Sequence, residues 1–194
     1  MVILINKYFK KLLTISAFIA WALICISASV CVINQTLIKS ELSNFKRQRQ
    51  EILETISNLV IREDLIYLKK SLKPEYNASY SADIESSAEY RSVYKIFSAF
   101  KTFHYLDVDD IYFLTPSEDV NIEYDIVDLY TENVNPIFNY KIDASTFPVM
   151  RKSMTDHTFE QEDSFVYDND TQTYSISSYK PVFAEDNQFI GILG

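Results

Sequence analysis

Glycine and cysteine are scarce in this sequence of 194 residues, which contains two of each. The glycines, Gly191 and Gly194, stand outside any glycine-rich motif, which excludes a loop of the kind that cradles phosphate groups. Both cysteines, Cys25 and Cys31, lie within one apolar run. The rest of the chain therefore has no disulfide framework, no thiolate zinc site and no cysteine nucleophile.

The residues that usually carry catalysis are equally sparse. The two histidines, His104 and His157, are far apart and belong to no metal-ligand motif, and no Gly-x-Ser-x-Gly turn is present. Acidic pairs such as Asp109-Asp110 and Glu162-Asp163 are interpreted as markers of strand ends on a solvated surface. We therefore expect no enzymatic activity, no cofactor and no metal site in this chain.

Positive charge is depleted in the second half of the sequence. Residues 102–194 contain four basic and 18 acidic residues, whereas residues 34–101 contain 11 basic and nine acidic ones. Binding a nucleic acid requires clustered lysine and arginine, so nucleic acid is excluded as a partner. The more basic first half is compatible with a position near anionic headgroups.

What the sequence does contain is an apolar run of 22 residues without a charge, residues 12–33. About 20 apolar residues in a helix span a bilayer core, which predicts a transmembrane helix. Lys7, Lys10 and Lys11 favour a cytoplasmic tail at residues 1–11, with residues 34–194 outside the cell (inner or plasma) membrane. The alternative is a cleaved signal sequence, for which Ser27-Ala28-Ser29 is a candidate cleavage site.

Residues 34–73 contain no proline or glycine and predict one long helix. A heptad-like apolar stripe favours a homodimer through this helix: Ile38, Leu42, Phe45, Ile52, Ile56, Leu59 and Ile66. A second apolar set lies on neighbouring positions: Leu53, Val60, Leu65, Leu68 and Leu72. The alternative to a dimer is a single helix packed on its own domain.

The remaining chain alternates between helical and strand periodicity. Residues 74–87 are interpreted as a polar linker, and residues 88–105 follow the spacing of an amphipathic helix. Strands are predicted at residues 111–114, 120–130, 159–167, 174–183 and 189–193, with one helix at residues 144–155. The fold class is therefore α+β, with a core at residues 88–194 built on an antiparallel sheet of about five strands.

The order of these elements resembles the extracytoplasmic Cache domain, a PAS-like sensor module of prokaryotic membrane receptors. The residues that carry the resemblance are Asp107–Leu114, Tyr174–Phe183 with its aromatic-Lys-Pro ending, and Phe189–Gly194 with its Ile-Gly-Ile-Leu-Gly pattern. The resemblance implies a small-molecule ligand held between the sheet and the helix at residues 144–155. The motif of amino-acid-binding double Cache domains includes a Trp-Tyr pair, and this helix has no tryptophan. A small carboxylate ligand stays open beside an amino acid.

Six side chains are predicted to line the ligand site because they are polar and lie on the strands or the helix that face this space. They are Tyr112, Arg151, Tyr174, Ser178, Tyr179 and Lys180. Arg151 and Lys180 are the candidates to pair with a ligand carboxylate. For both, an ordinary surface cation is the alternative interpretation.

Two functions remain open from the sequence. The first is an input domain of a chemoreceptor, sensor histidine kinase or diguanylate cyclase, which relays ligand binding through membrane helices. The full protein is then expected to continue to a second span and a cytoplasmic output module, or to a second Cache module. The second is a membrane-anchored structural or protein-interaction module without a small-molecule ligand.

Overall fold

The computed structural model describes residues 2–103, 110–119, 121–129, 137–168 and 173–194, which form an α+β fold. The chain divides into two compact units, Met1–Phe45 and Lys46–Gly194. The helices are α1 (Val2–Leu59), α2 (Arg62–Lys70), α3 (Ala78–Glu85), α4 (Ala88–Phe103) and α5 (Pro148–Asp156). The strands are β1 (Tyr112–Pro116), β2 (Ile122–Asp128), β3 (Lys141–Asp143), β4 (Glu160–Gln161), β5 (Val166–Asp168), β6 (Thr173–Ser175), β7 (Ser178–Phe183) and β8 (Phe189–Leu193).

The first unit is a stretch of α1 whose described apolar side chains are mostly exposed, among them Phe18, Trp21 and Ile24. Among the described residues, one helix is long and apolar enough to cross a membrane, and it includes this stretch. A signal sequence near an N-terminus meets the same criterion. The hydroxyls of Ser29 and Thr36 donate hydrogen bonds to backbone carbonyls one turn earlier, each at 2.8 Å, which satisfies these polar groups without water.

The single helix predicted over residues 34–73 is wrong, because α1 ends at Leu59 and α2 begins at Arg62. Ile61 adopts extended backbone angles (φ −71°, ψ 120°) although neither glycine nor proline is present. Val60 and Ile61 are consecutive β-branched residues, which have weak helix propensity. The break is compatible with burial of Leu65 and Leu68, which are 1% and 0% exposed.

The segment interpreted as a polar linker, residues 74–87, contains helix α3. Its N-terminus is capped by Asn77, whose side-chain oxygen accepts a hydrogen bond from the Tyr80 amide at 3.0 Å. The amphipathic helix predicted next is confirmed as α4, which buries Tyr90, Val93 and Phe97. Local capping chemistry therefore supplied a helix that apolar periodicity did not indicate.

Six strands form one antiparallel sheet in the order β3-β2-β1-β8-β7-β4, and β5 pairs with β6 as a separate two-stranded ribbon. Tyr112 lies opposite Asp128, and Leu114 lies opposite Asp125, with a bulge between these two pairs. The prediction of a strand over Phe189–Leu193 is confirmed. The hairpin predicted from residues 111–114 and 120–130 is confirmed as β1 and β2, whereas Val120 and Tyr130 lie outside the described residues.

Three other sequence predictions need correction. The strand predicted at residues 159–167 is two strands, β4 and β5, and the one predicted at residues 174–183 is β6 and β7. The helix predicted at residues 144–155 is a 3-10 turn, Ala144–Thr146, followed by α5, which begins at Pro148 because proline is preorganised for the first helical position. The edge strand β3 was not predicted.

Alternate residues of the central strands enter two different apolar clusters on opposite faces of the sheet. Phe113 and Leu193 belong to a large cluster with α1, α2 and α4, which includes Ile52, Ile56, Leu68, Val93 and Phe97. Leu114 and Ile192 belong to a small cluster with α5, which includes Ala144, Met150, Met154 and Tyr179. Two members of the predicted dimer stripe, Ile52 and Ile56, are therefore buried in the chain's own core.

Gly191 marks a close approach of two backbones, as its position inside a strand predicts. A side-chain carbon added at Gly191 would overlap the carbonyl oxygen of Leu114 on β1. The neighbouring bulge in β8 is held by Lys69 of α2, which donates hydrogen bonds to the carbonyls of Phe189 and Ile190, both at 3.0 Å. The glycine thus allows β8 to pack against β1 while α2 fixes its backbone.

Candidate functional site

The candidate site begins with a pair of tyrosines beneath α5. Tyr112 of β1 and Tyr179 of β7 have ring centroids 6.3 Å apart, and the hydroxyl of Tyr112 donates a hydrogen bond to that of Tyr179. Burial raises the pKa of both hydroxyls, so both stay neutral. Ser177 also bonds to Tyr179, and its amide donates to the Glu162 carboxylate at 2.8 Å. A chain of polar groups thus connects β1 to the edge of the sheet.

A buried carboxyl group, that of Glu123, lies on β2 close enough to Arg151 of α5 for the arginine charge to affect its pKa. Glu123 is 2% exposed, and its Oε2 atom has no hydrogen-bond partner within the described part of the chain. Burial raises its pKa to about 8, and the charge of Arg151 on α5 partly opposes that rise. Arg151 is partly buried. The cation that was predicted to meet a ligand carboxylate therefore acts on a carboxyl group of the protein.

Three further carboxyl groups gather around the hairpin of β1 and β2. Asp125 is 1% exposed, and its carboxyl interacts with that of Asp128, the residue that ends β2. Burial raises the pKa of Asp125 well above its ordinary value, and the charge of Asp128, the hydrogen bond to Asp128 and the charge of Asp110 raise it further. Burial and Asp128 also raise the pKa of Asp110 to about 8, while Lys101 on α4 opposes the rise. We call Asp110, Asp125 and Asp128 the aspartate cluster.

The structure unites only part of the predicted site. Tyr112 and Tyr179 are in contact, and α5 carries Arg151 over the apolar cluster that includes Tyr179. Ser178 is buried, and its hydroxyl accepts a hydrogen bond from Gln161 at 2.6 Å. Lys180 forms a 2.5 Å ion pair with Glu54 of α1, so it belongs to the opposite face of the sheet.

Tyr174 belongs to a different element from the other predicted residues. It lies on β6, is 68% exposed, and stacks edge-on against Tyr167 of β5 at 5.1 Å. The sequence analysis placed it on one continuous strand, residues 174–183, together with Ser178 and Lys180. The chain leaves strand conformation at Ile176 and Ser177, which invalidates that alternation.

Sequence reasoning missed Glu123, Asp125 and Asp128. The sequence analysis interpreted acidic pairs such as Asp109-Asp110 as solvated markers of strand ends and gave these three residues no role, but they lie within β2 and are buried. A signal was present in the sequence, because Glu123 and Asp125 are two residues apart and share one side of a strand. Their burial follows from the position of β2 inside the sheet, between β3 and β1.

No group of three or more histidine, cysteine, aspartate or glutamate side chains is arranged to hold a metal ion among the described residues. Both cysteines are exposed and reduced on α1. The aspartate cluster therefore brings carboxyl groups together without the compact geometry of a metal site.

No protein-family model, curated protein or solved structure matches this chain.

Proposed function

We propose that the chain is the extracytoplasmic ligand-sensing input module of a membrane signal-transduction receptor, with a PAS-like fold of the Cache type. The observation that carries the proposal is the buried carboxyl of Glu123, whose Oε2 atom has no hydrogen-bond partner among the described residues. Burying a polar group without a partner costs stability, and such groups mark sites where a ligand supplies the missing partner. Tyr112 lies on the same hairpin as Glu123, and its partner Tyr179 lies on β7 of the same sheet.

The membrane part of the proposal is supported by the apolar helix of the first unit and by its continuation as α1. The C-terminal part of α1 is tied to the sheet at two places. Glu54 pairs with Lys180 of β7, and Lys46 pairs with Asp163 at 3.2 Å, next to β4. The Gln161 side chain also donates to the Lys46 carbonyl at 3.4 Å. A ligand that shifts β7 or β4 would therefore move α1 with it.

Signalling requires more than binding. A ligand changes an equilibrium only by its difference in affinity for the two states. The relevant states are two arrangements of α1, either within one chain or between two copies in a homodimer. The sheet contacts of α1 supply a direct physical path for such a difference.

The test uses the whole chain in lipid nanodiscs. A screen of small carboxylates, amino acids and amines should contain a compound that raises the melting temperature of the chain. Disulfide crosslinking at the natural residues Cys25 and Cys31 then measures the arrangement of α1 in two copies, and the ligand should change the crosslinking yield. Replacement of both cysteines by serine is the control for yield that does not arise from these thiols.

A different outcome would favour the second candidate function, a membrane-anchored interaction module. The specific observation for it is a set of exposed apolar side chains at the β5–β6 ribbon: Val166, Tyr167 and Tyr174 on its strands and Phe165 just before β5, each 46–68% exposed. If no compound changes the melting temperature, and if replacement of these four side chains by serine abolishes association with another protein, the interaction module is the better description. A ligand that stabilises the chain without any change in crosslinking would keep binding and remove signalling.

A further inference from the structure

We infer that the β5–β6 ribbon is a docking surface for a basic, extended segment of another protein, which adds to the ribbon as a third strand. The surface is defined by the two strands of the ribbon, Val166–Asp168 and Thr173–Ser175. The inference goes beyond the sensor function, which rests on the carboxyl of Glu123. It names the class of partner that the second candidate function, the interaction module, leaves open.

The ribbon has edges to which a further strand can pair. β5 and β6 pair with each other, and neither belongs to the six-stranded sheet. Each of the two strands therefore has one edge without a neighbouring strand in the described part of the chain. Such an edge presents backbone N–H and C=O groups to an added strand. Because a ribbon of two strands is only marginally stable by itself, a third strand also stabilises it.

Both faces of the ribbon expose large apolar side chains. Tyr167 lies opposite Tyr174, and the two ring centroids are 5.1 Å apart on one face. Val166 precedes Tyr167 in the strand and therefore lies on the other face. The side chains of Val166, Tyr167 and Tyr174 are 48%, 46% and 68% exposed. Since aromatic residues are enriched where proteins meet, this surface suits contact with the side chains of a partner strand.

The base of the ribbon is fixed to the domain. The Glu162 amide donates a hydrogen bond to the Ser177 carbonyl at 3.0 Å, and the Ser177 amide donates to the Glu162 carboxylate at 2.8 Å. These two bonds join the chain just before β5 to the chain just after β6. Asp163, the next residue, pairs with Lys46 of α1 at 3.2 Å. The ribbon is therefore preorganised at its base, which lowers the entropy cost of binding a partner.

The charge of the ribbon favours a basic partner. Residues 158–179 contain five acidic residues and no basic residue. Two of these carboxylates pair with lysines from elsewhere, Glu160 with Lys152 at 2.7 Å and Asp163 with Lys46. The five carboxylates and these two lysines still leave a net charge of −3. Opposite charge on a partner speeds its association and fixes its register.

The same charge disfavours two other occupants of this surface. Tyrosine is common at membrane interfaces, but the anionic headgroups of a lipid surface repel an acidic ribbon. A second copy of the chain would place its own acidic ribbon against this one, and like charges opposite each other in a sheet are destabilising. A basic strand from another protein suits the free backbone edge, the exposed apolar faces and the charge together.

The experiment measures peptide binding to the whole chain in nanodiscs of phosphatidylcholine, a zwitterionic lipid, with empty nanodiscs as the blank. The probe is a short capped peptide in which lysine and valine alternate. We expect it to bind, with an affinity that falls as salt is raised. A glutamate–valine peptide should not bind because its charge is repelled. A lysine–proline peptide should not bind because its prolines cannot donate backbone hydrogen bonds to the ribbon edge.

Two changes in the ribbon and one matched control locate the surface. Tyr167→Ser combined with Tyr174→Ser should weaken binding of the lysine–valine peptide about tenfold or more, because the aromatic contacts are lost. Tyr67→Ser is the control, since Tyr67 lies on α2 and is 43% exposed. Asp168→Lys reverses one charge of β5, so it should weaken binding of the lysine–valine peptide and strengthen binding of the glutamate–valine peptide. A nearly unchanged melting temperature of each variant checks that the domain stays folded.

Several outcomes would overturn the inference. They are no binding of the lysine–valine peptide, equal binding of either control peptide, and unchanged binding in both ribbon variants. If that peptide fails while phosphatidylserine vesicles bind, the ribbon contacts a lipid surface instead. If it fails while the chain forms dimers that the tyrosine variant dissociates, the occupant is a second copy. Failure of the peptide leaves the sensor function intact, because the ligand screen and the crosslinking of Cys25 and Cys31 test that function separately.

Discussion

The two faces of the six-stranded sheet are filled by different chemistry. The face covered by α1, α2 and α4 buries a continuous apolar cluster that contains Phe97, Phe113 and Leu68. The face covered by α5 buries a small cluster that includes Tyr179 and packs against Tyr112. Glu123, a buried carboxyl with an unpartnered oxygen, lies on β2 within reach of Arg151 of α5. The comparison separates a face that stabilises the domain from one that retains unsatisfied polar groups.

The first prediction is the largest and concerns the apolar face. Phe97→Ala should lower the free energy of unfolding by about 3–5 kcal/mol, because Phe97 is fully buried and the substitution leaves a cavity. Chemical denaturation of the chain in nanodiscs or detergent measures this loss. Phe165→Ala is the matched control, since Phe165 is 50% exposed and should change stability little. Equal losses in the two variants would show that the large cluster does not stabilise the domain as described.

The second prediction tests the strand contact that joins the two faces. Gly191→Ala should cost about 1–3 kcal/mol, because the added carbon overlaps the backbone oxygen of Leu114, which cannot rotate away. Gly194→Ala is the control, and it matches Gly191→Ala more closely than a substitution at an exposed position would, because both glycines have close neighbours. Its added carbon meets only side-chain atoms of Tyr112, which can move. A smaller loss for Gly191→Ala than for Gly194→Ala would contradict the close approach of β8 and β1.

The fold could be predicted wherever local pattern and burial agree. The apolar run, α4, the hairpin of β1 and β2, and β8 all follow from periodicity. The break at Val60 and Ile61 could not, because no proline or glycine marks it and it accompanies burial of Leu65 and Leu68. The separation of β6 from β7 could not be predicted either, since no proline or glycine marks the break at Ile176 and Ser177.

The site was harder to predict than the fold because the burial of its polar residues depends on tertiary packing. Tyr112 and Tyr179 were predicted from their positions on strands, and the structure brings them into contact. The acidic residues of β2 have the composition of a solvated strand, and only the placement of β2 between β1 and β3 buries them. Composition records the charge of a side chain, whereas its pKa depends on burial that the whole fold creates.

The third prediction concerns the polar face and its pH dependence. The pKa of Glu123 is raised to about 8 in the folded chain, while an unfolded glutamate loses its proton near ~4.3. Between these values the folded state holds a proton that the unfolded state has released. Stability should therefore fall as pH rises from about 5 to about 8 and then level off, by at most ~1.4 kcal/mol per pH unit for this group.

Glu123→Gln should remove this contribution and flatten the profile. Denaturation of both proteins across this pH range measures the slopes, and Asp83→Asn controls for an exposed acid. The pKa of Asp110 is also raised to about 8, so Asp110 should likewise make stability fall as pH rises. It will therefore leave a residual slope in the pH profile of Glu123→Gln. Asp128 raises the pKa of Asp110 and Lys101 lowers it. Asp110→Asn is the variant that measures how much of the remaining slope comes from Asp110. A profile that rises over this range would contradict the burial of neutral carboxyl groups.

The fourth prediction has the smallest effect on stability and tests the link from the sheet to α1. Lys180 pairs with Glu54, whose side chain is 54% exposed, so the pair should contribute about 0–1 kcal/mol. Lys180→Met and Glu54→Gln, alone and combined, measure the interaction as a double-mutant cycle.

If β7 moves α1 through this pair, the variants should leave ligand affinity nearly unchanged while they reduce the ligand-dependent change in Cys25 and Cys31 crosslinking. Arg47 and Glu51, an exposed pair within α1 itself, supply the matched control because they do not reach the sheet. If ligand changes the crosslinking yield as strongly in Lys180→Met as in the unmodified chain, another contact carries the coupling. The ion pair of Lys46 with Asp163 is then the next contact to test.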